Sequence, residues 1–368
     1  MKDYLYRLAT DRPCGVPAGI ARFFLFLLSL VYGLMVRVLI FLNRLFAGRL
    51  PCKVISAGNI TLGGTGKTVL VEYIARYLKS QGKRVAILTR GYKRKVIRSA
   101  RSEAKPPPGG PGHKVTSEEM GDEPYMLQQK LKDIPVIVDS DRSRAAKRAL
   151  DDFTCDTVIL DDGFQQWRIK KDLEIVIIDA ANPFGNRHML PRGILREPLS
   201  SLKRADIFVL TKVDLAPEGA EALKGFLRKL VPGAQIFESA HQPLGFYPLG
   251  DPGALQGPDS LRDKTVTLFS GIGDPCSFEE LIKKAGVSAG LSFRFPDHHC
   301  YSQEDLKKVF EDSRKKNIKT VVTTEKDAAR IADLKDAAKD MQILVLRIGL
   351  KLEEEEKFDE RLLGVYSL

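Results

Sequence analysis

Cysteines are sparse in this chain, and none lies near another. The five residues are an odd number and form no C-x-x-C pair: Cys14, Cys52, Cys155, Cys276 and Cys300. This spacing argues against a disulfide framework and against a zinc ribbon. It predicts isolated thiols in a reducing compartment.

A broad surplus of positive charge is also missing, although 58 Lys and Arg residues stand against 47 Asp and Glu residues. Residues 1–50 carry seven basic and two acidic side chains, and residues 83–105 carry nine basic and one acidic. These two segments account for more than the whole net charge of +11, so the rest of the chain is nearly neutral. We therefore expect no nucleic-acid partner. The composition, 43% hydrophobic and 29% charged, is that of a globular protein, and 368 residues are enough for two domains.

One long apolar run is present near the amino end. Residues 23–42 contain a single charged side chain and are long enough to cross a bilayer. On a helix, five polar or small residues would share one side: Arg22, Ser29, Gly33, Arg37 and Arg44. This pattern predicts that residues 1–48 anchor the chain by lying in or entering one leaflet, with arginines at anionic head groups. A cleaved signal peptide and a buried soluble helix are the alternatives, and no small-x-small cleavage site follows the run.

A phosphate-binding loop is the strongest local signal. The strand-like residues 53–57 precede G-N-I-T-L-G-G-T-G-K-T at 58–68, and a segment with helical apolar spacing follows. In a P-loop, backbone N–H groups and the helix N-terminus bind phosphates, Lys67 reaches the β and γ oxygens, and Thr68 ligates Mg²⁺. The predicted nucleotide-binding residues are Gly63, Gly64, Thr65, Gly66, Lys67 and Thr68. Thr61 stands where the usual pattern has its first glycine, a position that only has to permit a turn.

A second acidic element completes the expected nucleotide site. The apolar run 157–160 ends in Asp161 and Asp162, and carboxylates at such a strand end would lie beside the P-loop and hold Mg²⁺ directly or through water. Further strand-like runs alternate with helical stretches: 84–90, 134–139, 173–179 and 205–211. The pattern predicts a doubly wound α/β domain with a mostly parallel sheet over residues 49–244. Residues 245–368 are predicted to form a smaller α/β domain that closes over the cleft and carries His298.

Several polar segments have both a structural and a functional interpretation. The stretch 91–122 contains KRKVIRSAR and PPPGGPG, and is either a solvated loop or a basic patch for an anionic substrate or a membrane. Asp122 precedes a helical segment, as a helix cap or as a functional carboxylate. Asp297 could orient one histidine of the pair 298–299 to assist a base. A metal shared by both histidines is not expected, because neighbouring side chains on an extended chain point in opposite directions. Residues 324–327 form a helix-capping turn or part of a site.

The segment T-K-V-D at 211–214 supports a different function. It is similar to the guanine-binding N/T-K-x-D element of GTPases and follows a predicted strand. A P-loop GTPase or metallochaperone is therefore the alternative to a kinase.

Taken in order, the motifs resemble the tetraacyldisaccharide 4'-kinase family of lipid A biosynthesis. The motifs are G-N-I-T-L-G-G-T-G-K-T, L-T-R-G-Y, G-D-E-P, D-D-G-F-Q, R-H-M-L-P-R-G-I-L-R-E-P, F-P-D-H-H and T-T-E-K-D-A. They lie behind an apolar N-terminal helix and span roughly residues 20–350, and T-K-V-D belongs to this family's own pattern. Trp167 replaces the histidine often found after D-D-G-F-Q.

The resemblance implies ATP-dependent phosphorylation of the 4'-hydroxyl of an acylated glucosamine disaccharide 1-phosphate. The enzyme would work at the cytoplasmic face of the bacterial inner membrane, with ATP and Mg²⁺ as cofactors. By resemblance, Asp122 is the base or orienter for the sugar hydroxyl and His298 is its partner. The residues that would bind the nucleotide and the metal ion are Lys67, Thr68, Glu123, Asp161 and Asp162.

Overall fold

The computed structural model describes residues 17–91, 120–331 and 341–367. The basic and proline-rich segment at 92–119 lies outside these residues, so its two interpretations remain predictions. The described helices are α1 (Pro17–Leu45), α2 (Lys67–Ser80), α3 (Asp122–Lys130), α4 (Arg142–Phe153), α5 (Pro217–Leu230), α6 (Pro275–Lys284), α7 (Gln303–Lys315), α8 (Glu325–Arg330) and α9 (Glu355–Leu363). The described strands are β1 (Lys53–Gly58), β2 (Val85–Thr89), β3 (Val136–Val138), β4 (Thr157–Asp161), β5 (Leu173–Asp179), β6 (Ile207–Thr211), β7 (Gln235–Pro248), β8 (Thr265–Ser270), β9 (Ser288–Arg294), β10 (Thr320–Thr324) and β11 (Gln342–Leu352).

The chain forms two compact units, and each is discontinuous in sequence. Unit 1 contains the described residues of 1–90, 139–240 and 352–368, and unit 2 contains those of 91–138 and 241–351. The change near residue 240 lies close to the predicted boundary at 244. The segment that includes α3 belongs to unit 2, although the sequence placed it in the kinase domain, and the C-terminal residues belong to unit 1. Tertiary packing causes this difference, since α3 packs against α8 and α9 packs against α2.

Unit 1 is a parallel sheet with β1 at its centre. The strand order is β2-β4-β1-β5-β6-β7, and every pairing among these strands is parallel. Strands β1, β2, β4 and β6 are buried along almost their whole length, as their runs of apolar residues predict. The predicted doubly wound fold is confirmed, and the loop after β1 lies at the carboxyl edge of the sheet, where such folds bind ligands.

Helix α1 packs against unit 1 along one narrow face. Ser29 and Val36 are buried, and an added Cβ at Gly33 would come within 3.2 Å of Met189 Sδ. Tyr32 Oη donates to the Arg196 carbonyl at 3.1 Å. The small residues of the predicted polar side therefore face the protein, whereas most of the large apolar side chains of α1 are exposed. Within the described residues, α1 is the one helix long and apolar enough to cross a membrane.

Unit 2 has its own mostly parallel sheet. Its strand order is β7-β11-β10-β8-β9, with parallel pairing of β11 to β10, β10 to β8 and β8 to β9. Buried apolar side chains of these strands and of α6 form its core, with Phe246, Leu268 and Phe278 at the centre. The ends of β8, β9 and β10 lead into the loops and the helix that carry His298 and Arg330.

Candidate active site

The loop after β1 joins the start of α2 through glycines in a left-handed conformation. Gly63 and Gly66 have φ angles of 115° and 79°, a region that glycine adopts without strain. Helix α2 begins at Lys67, so its first backbone N–H groups are open toward the loop. The structure therefore places all six predicted nucleotide-binding residues on one strand–loop–helix element: Gly63, Gly64, Thr65, Gly66, Lys67 and Thr68.

Lys67 and Arg196 converge on one carboxylate. Lys67 Nζ donates to Asn59 Oδ1 at 3.0 Å and lies 3.5 Å from Asp162 Oδ1. Arg196 donates to both oxygens of Asp162, each at 2.9 Å, and also to the Asn59 carbonyl at 2.7 Å. Burial alone would raise the pKa of Asp162, but Arg196 and Lys67 outweigh it and hold the pKa well below its ordinary value. Asp162 is therefore fixed as an anion next to the P-loop lysine.

The turn that carries Asp162 packs directly on β1 because two positions lack side chains. Asp162 itself has a φ of 54°, which is uncommon for a residue other than glycine. An added Cβ at Gly58 would lie 2.5 Å from the backbone nitrogen of the fully buried Phe164. One at Gly163 would lie 2.4 Å from Ser56 Oγ. Strained, closely packed backbone of this kind is typical of functional sites.

Asp161 of β4 and Thr68 of α2 are two of the predicted Mg²⁺ ligands in unit 1. Asp161 is the last residue of β4 and pairs in register with Ala57, one residue before the end of β1. Its Oδ2 accepts a hydrogen bond from Thr89 Oγ1 at 3.1 Å. Both Asp161 and Thr68 are buried, with 4% and 6% exposure. A threonine hydroxyl and a carboxylate are oxygen donors that suit Mg²⁺, so this pair fits the predicted metal ion.

The T-K-V-D segment has structural contacts in unit 1. Thr211 Oγ1 donates to the Thr65 carbonyl at 3.2 Å, and Lys212 Nζ donates to Asp179 Oδ2 at 2.6 Å. Thr211 therefore supports the P-loop backbone, and Lys212 joins the ends of β5 and β6. These contacts give Thr211 and Lys212 structural roles within unit 1.

Asp122 and His298 meet within unit 2. His298 Nδ1 lies 3.3 Å from Asp122 Oδ2. Gly121 occupies the N-cap position of α3 and Asp122 is the first helical residue, so the interpretation of Asp122 as the N-cap is wrong. The sequence assigned these two residues to different domains, but the pair needs no movement between units to form.

Arg330 of α8 contacts both members of this pair. Its Nε donates to Asp122 Oδ2 at 2.7 Å, and its Nη2 lies 3.1 Å from His298 Nδ1. Burial alone would raise the pKa of Asp122, but hydrogen bonds from His298 and Arg330 leave that pKa below its ordinary value. His298 Nδ1 can either donate to the carboxylate or accept from Arg330, so the guanidinium influences the tautomer of the imidazole.

Asp327 holds Arg330 in position by a buried salt bridge. It is fully buried, and its Oδ1 accepts from Arg330 Nη1 at 2.9 Å, from Tyr301 Oη at 3.0 Å and from the backbone of Gly271 at 3.1 Å. Thr324 caps α8 by accepting from the Asp327 backbone at 3.1 Å. Thr324 therefore confirms the helix-capping interpretation of 324–327, and a role of this segment in the site stays a prediction.

The remaining predicted residues of this region have separate partners. His299 stacks on Phe295 with ring centroids 4.8 Å apart, and its Nε2 lies 3.0 Å from Asp305 Oδ2. The two adjacent histidines therefore face different groups. Glu123 forms a 2.5 Å ion pair with Lys326, and its role in holding Mg²⁺ stays a prediction. Among the described residues, no group of three or more His, Cys, Asp or Glu could hold a metal ion.

Sequence reasoning assigned no role to Asn59, Arg196 or Arg330. Asn59 and Arg196 stand inside quoted motifs, so their types were visible but their shared contact with Asp162 was not. Arg330 follows Asp327 by three residues on a helix, a spacing that permits a salt bridge. Its contact with Asp122, 208 residues earlier, has no local signal.

Comparison with known proteins identifies the family of this chain. A sequence model of the tetraacyldisaccharide-1-P 4'-kinase family matches residues 21–367. The chain belongs to the tetraacyldisaccharide 4'-kinase family. It is 35% identical to the tetraacyldisaccharide 4'-kinase of Desulfatibacillum aliphaticivorans over 97% of this chain and 95% of that protein. It is also 35% identical to the tetraacyldisaccharide 4'-kinase of Halothermothrix orenii, with 95% of each chain covered.

A solved member of the 4'-kinase family has a similar fold. The crystal structure of LpxK from Aquifex aeolicus in complex with ATP matches with a TM-score of 0.72 and 30% identity, covering 94% of this chain and 99% of that one. The resemblance identified from the motifs is therefore confirmed, and the family favours a kinase over a GTPase or metallochaperone.

Proposed function

We propose that this chain transfers the γ-phosphoryl group of ATP to the 4'-hydroxyl of a tetraacyl glucosamine disaccharide 1-phosphate. The observation that carries the proposal is the family match across residues 21–367, because it contains both the P-loop and the Asp122 cluster. The chain also covers 95% or more of the two relatives described above, so no large part of those proteins lacks a counterpart here.

The P-loop residues of unit 1 bind the nucleotide. Backbone N–H groups around Gly63 to Gly66 and at the start of α2 donate to the phosphates, and the helix dipole favours their negative charge. Lys67 exchanges its contact with Asp162 for the β and γ oxygens of ATP. Arg196 keeps Asp162 in place during this exchange, because it holds both carboxylate oxygens.

Thr68 and Asp161 are the residues of this unit that would hold Mg²⁺. When bound, the ion supplies positive charge to the phosphates. Glu123 and Asp162 are further predicted ligands, and each is engaged by a cation: Glu123 by Lys326, and Asp162 by Lys67 and Arg196.

Asp122 orients the sugar hydroxyl and accepts its proton. The 4'-oxygen forms the new bond to the γ-phosphorus while the bond from that phosphorus to the departing ADP oxygen breaks. The proton of the hydroxyl passes to the Asp122 carboxylate, and His298 supports the carboxylate through Nδ1. A carboxylate with a low pKa suffices, since a loose transition state needs the proton removed only late and orientation matters more than basicity.

Helix α1 anchors the enzyme at the cytoplasmic face of the inner membrane. Its exposed side chains include Phe23, Leu34 and Phe41, with exposures of 58%, 64% and 64%. Apolar surface of this extent is favourable in a bilayer and unfavourable in water. A membrane-docked kinase would meet its acylated substrate where that substrate lies.

The decisive experiment follows labelled γ-phosphate from ATP into a tetraacyl disaccharide 1-phosphate in mixed micelles. Lipid-dependent transfer to the 4'-position is expected, and GTP without lipid should give no comparable turnover. The Lys67→Ala variant should lower kcat by about 100-fold or more, because it removes a charge-assisted contact to the transferred group. Lipid-independent GTP hydrolysis at an equal rate, or wild-type kcat in Lys67→Ala, would contradict the proposal.

A further inference from the structure

A cavity of about 990 Å³ lies beside the C-terminal part of α1, wholly within unit 1. Its walls come from the end of α1, from the segment that follows the Asp161–Asp162 turn and from the segment that precedes β6. No residue of the P-loop lines it, nor does any residue of the Asp122 cluster. The cavity is therefore lined by residues other than those of the P-loop and of the Asp122 cluster.

Basic side chains dominate this cavity. Five of them form no ion pair with any residue in the described ranges: Arg37, Arg44, Arg49, Lys170 and Lys203. Two further basic residues on its wall are neutralised, because Lys171 pairs with Glu174 at 2.5 Å and Arg204 pairs with Glu197 at 2.8 Å. The five exposed or partly exposed charges that remain attract an anion.

The walls of the cavity are held in place by contacts between α1 and the body of unit 1. The backbone nitrogen of Gly48 donates to the Arg168 carbonyl at 2.9 Å, and that of Lys170 donates to the Gly48 carbonyl at 2.9 Å. Arg168 Nε donates to Asn43 Oδ1 at 2.6 Å. These bonds connect the end of α1 to the strand-like segment opposite, so the cavity is formed before any ligand binds.

The cavity is also amphiphilic. Ile40, Phe41 and Leu45 of α1 line it beside the arginines. Trp167 lines the opposite wall, and its indole Nε1 donates to Glu197 Oε1 at 3.1 Å. A ligand with one anionic group and an adjoining apolar chain matches both kinds of lining.

We propose that this cavity binds the phosphate of an anionic phospholipid of the bilayer, with the lipid's acyl chains running along the apolar side of α1. The proposal rests on the membrane location assigned to α1 above. A bilayer lipid is favoured over the sugar lipid under phosphorylation because no residue of either half-site contributes to the cavity. The bound phospholipid would hold α1 and unit 1 at a set depth in the head-group layer.

Trp167 provides a direct reporter, because it is the sole tryptophan of the chain. The full-length protein in a neutral detergent is titrated with phosphatidylcholine vesicles that contain or lack 30% phosphatidylglycerol. We expect a saturable change of tryptophan emission with phosphatidylglycerol and a much smaller one without it. Equal changes with both vesicles would overturn the proposal.

A matched pair of variants tests the site. Lys170→Ala combined with Lys203→Ala should weaken binding to phosphatidylglycerol vesicles about tenfold or more, since each basic side chain near an anionic surface contributes roughly fivefold. The control combines Lys147→Ala with Lys229→Ala, which removes two exposed lysines of unit 1 outside the cavity and should change binding less than about twofold. Equal loss in both pairs would show general attraction to the membrane and no site.

Two further measurements separate this inference from the proposed function. Phosphoryl transfer in neutral micelles should be the same in the cavity variant and in its control, since neither touches the reacting groups. If phosphatidylglycerol leaves the emission unchanged while the disaccharide 1-phosphate in neutral micelles shifts it, the cavity belongs to the substrate and the phospholipid proposal is wrong. The vesicle titration does not depend on kinase activity, so each proposal can fail alone.

Discussion

At the scale of single residues, the cluster around Asp122 acts through shared contacts. One oxygen of Asp122 lies within 2.7 Å of Arg330 and 3.3 Å of His298. Groups that share partners in this way give non-additive effects when they are substituted. Each residue therefore has to be tested together with its neighbour.

The first prediction concerns Asp122 and His298. Asp122→Asn and His298→Ala should each lower kcat at least about 100-fold with little change in the KM for ATP, because neither residue belongs to the P-loop that is proposed to bind the nucleotide. The double variant should lose much less than the product of the two effects. Steady-state kinetics with the lipid substrate provide the measurement. Near-normal turnover by a folded Asp122→Asn enzyme would exclude a catalytic role, and strictly multiplicative losses would exclude a dyad.

The second prediction treats Arg330 as a positioning residue. Arg330→Met should reduce kcat about tenfold or more while the KM for ATP stays within about twofold, because it frees Asp122 and His298 to adopt other orientations. Arg330→Lys keeps the charge and should recover part of the loss. In the Asp122→Asn background, Arg330→Met should cause little further change in kcat. A full additional loss in that background would show that Arg330 acts independently of Asp122 and would contradict the positioning role. Losses of activity that match the loss of folded protein would show that Arg330 supports folding only.

At the scale of secondary-structure elements, four of the described helices begin with a side chain that accepts from free backbone N–H groups: α4, α6, α7 and α8. Helix α7 carries a capping box in which Ser302 accepts from the Asp305 backbone and the Asp305 carboxylate accepts from the Ser302 backbone at 2.9 Å. The bond from Ser302 and the contact with His299 lower the pKa of Asp305 below its ordinary value. A group with a lowered pKa stabilises the folded state above the unfolded pKa, and this contribution is lost as the pH falls through the folded pKa.

The third prediction follows from the lowered pKa of Asp305. Asp305→Ala should lower the free energy of unfolding by about 1 kcal/mol near pH 7, the usual size of a capping contribution. The difference from the wild type should shrink as the pH falls below about 4, the ordinary pKa of an aspartate, and through the lower pKa of Asp305 in the folded state. Urea unfolding at several pH values provides the measurement. Glu304→Ala, in the same first turn but outside the capping box, is the control, and an equal loss in that variant would argue against the cap.

At the scale of the whole molecule, the proposed membrane location depends on α1. It is held to unit 1 by a narrow face around Ser29 and Gly33, and it presents a wide apolar surface elsewhere. Deleting the whole segment would also remove this packing. Substitution of exposed side chains is therefore the cleaner test.

The fourth prediction uses Leu30 and Leu34, which are 54% and 64% exposed on α1. Changing both to Glu should release most of the protein from vesicles at high salt, because charged side chains are costly within the apolar layer. ATP binding should be retained. Leu215→Glu, at a 43% exposed apolar residue outside α1, should leave vesicle binding unchanged. Quantitative pelleting of the double variant would place the anchor elsewhere.

The nucleotide half of the site was predictable from sequence because its signals are local. Gly63, Gly66 and Lys67 lie within five residues of one another in a single loop. Asp161 directly follows the apolar residues 157–160 of its own strand. Parallel pairing then brings neighbouring strand ends to the same edge, as the register of Ala57 with Asp161 shows. The apolar character of α1 was equally visible, since helical spacing and length are properties of one segment.

The arrangement of distant residues was decided by tertiary structure. Arg330 on Asp122, Arg196 on Asp162 and α3 in unit 2 all join segments that lie far apart in the chain. Local propensity carries no information about such contacts, because they depend on which faces are buried together once the sheets have formed. The sequence by itself determined the P-loop, the type of fold and the apolar helix. The pairing of Asp122 with His298 and the basic cavity beside α1 exist only because packing brings separate segments together.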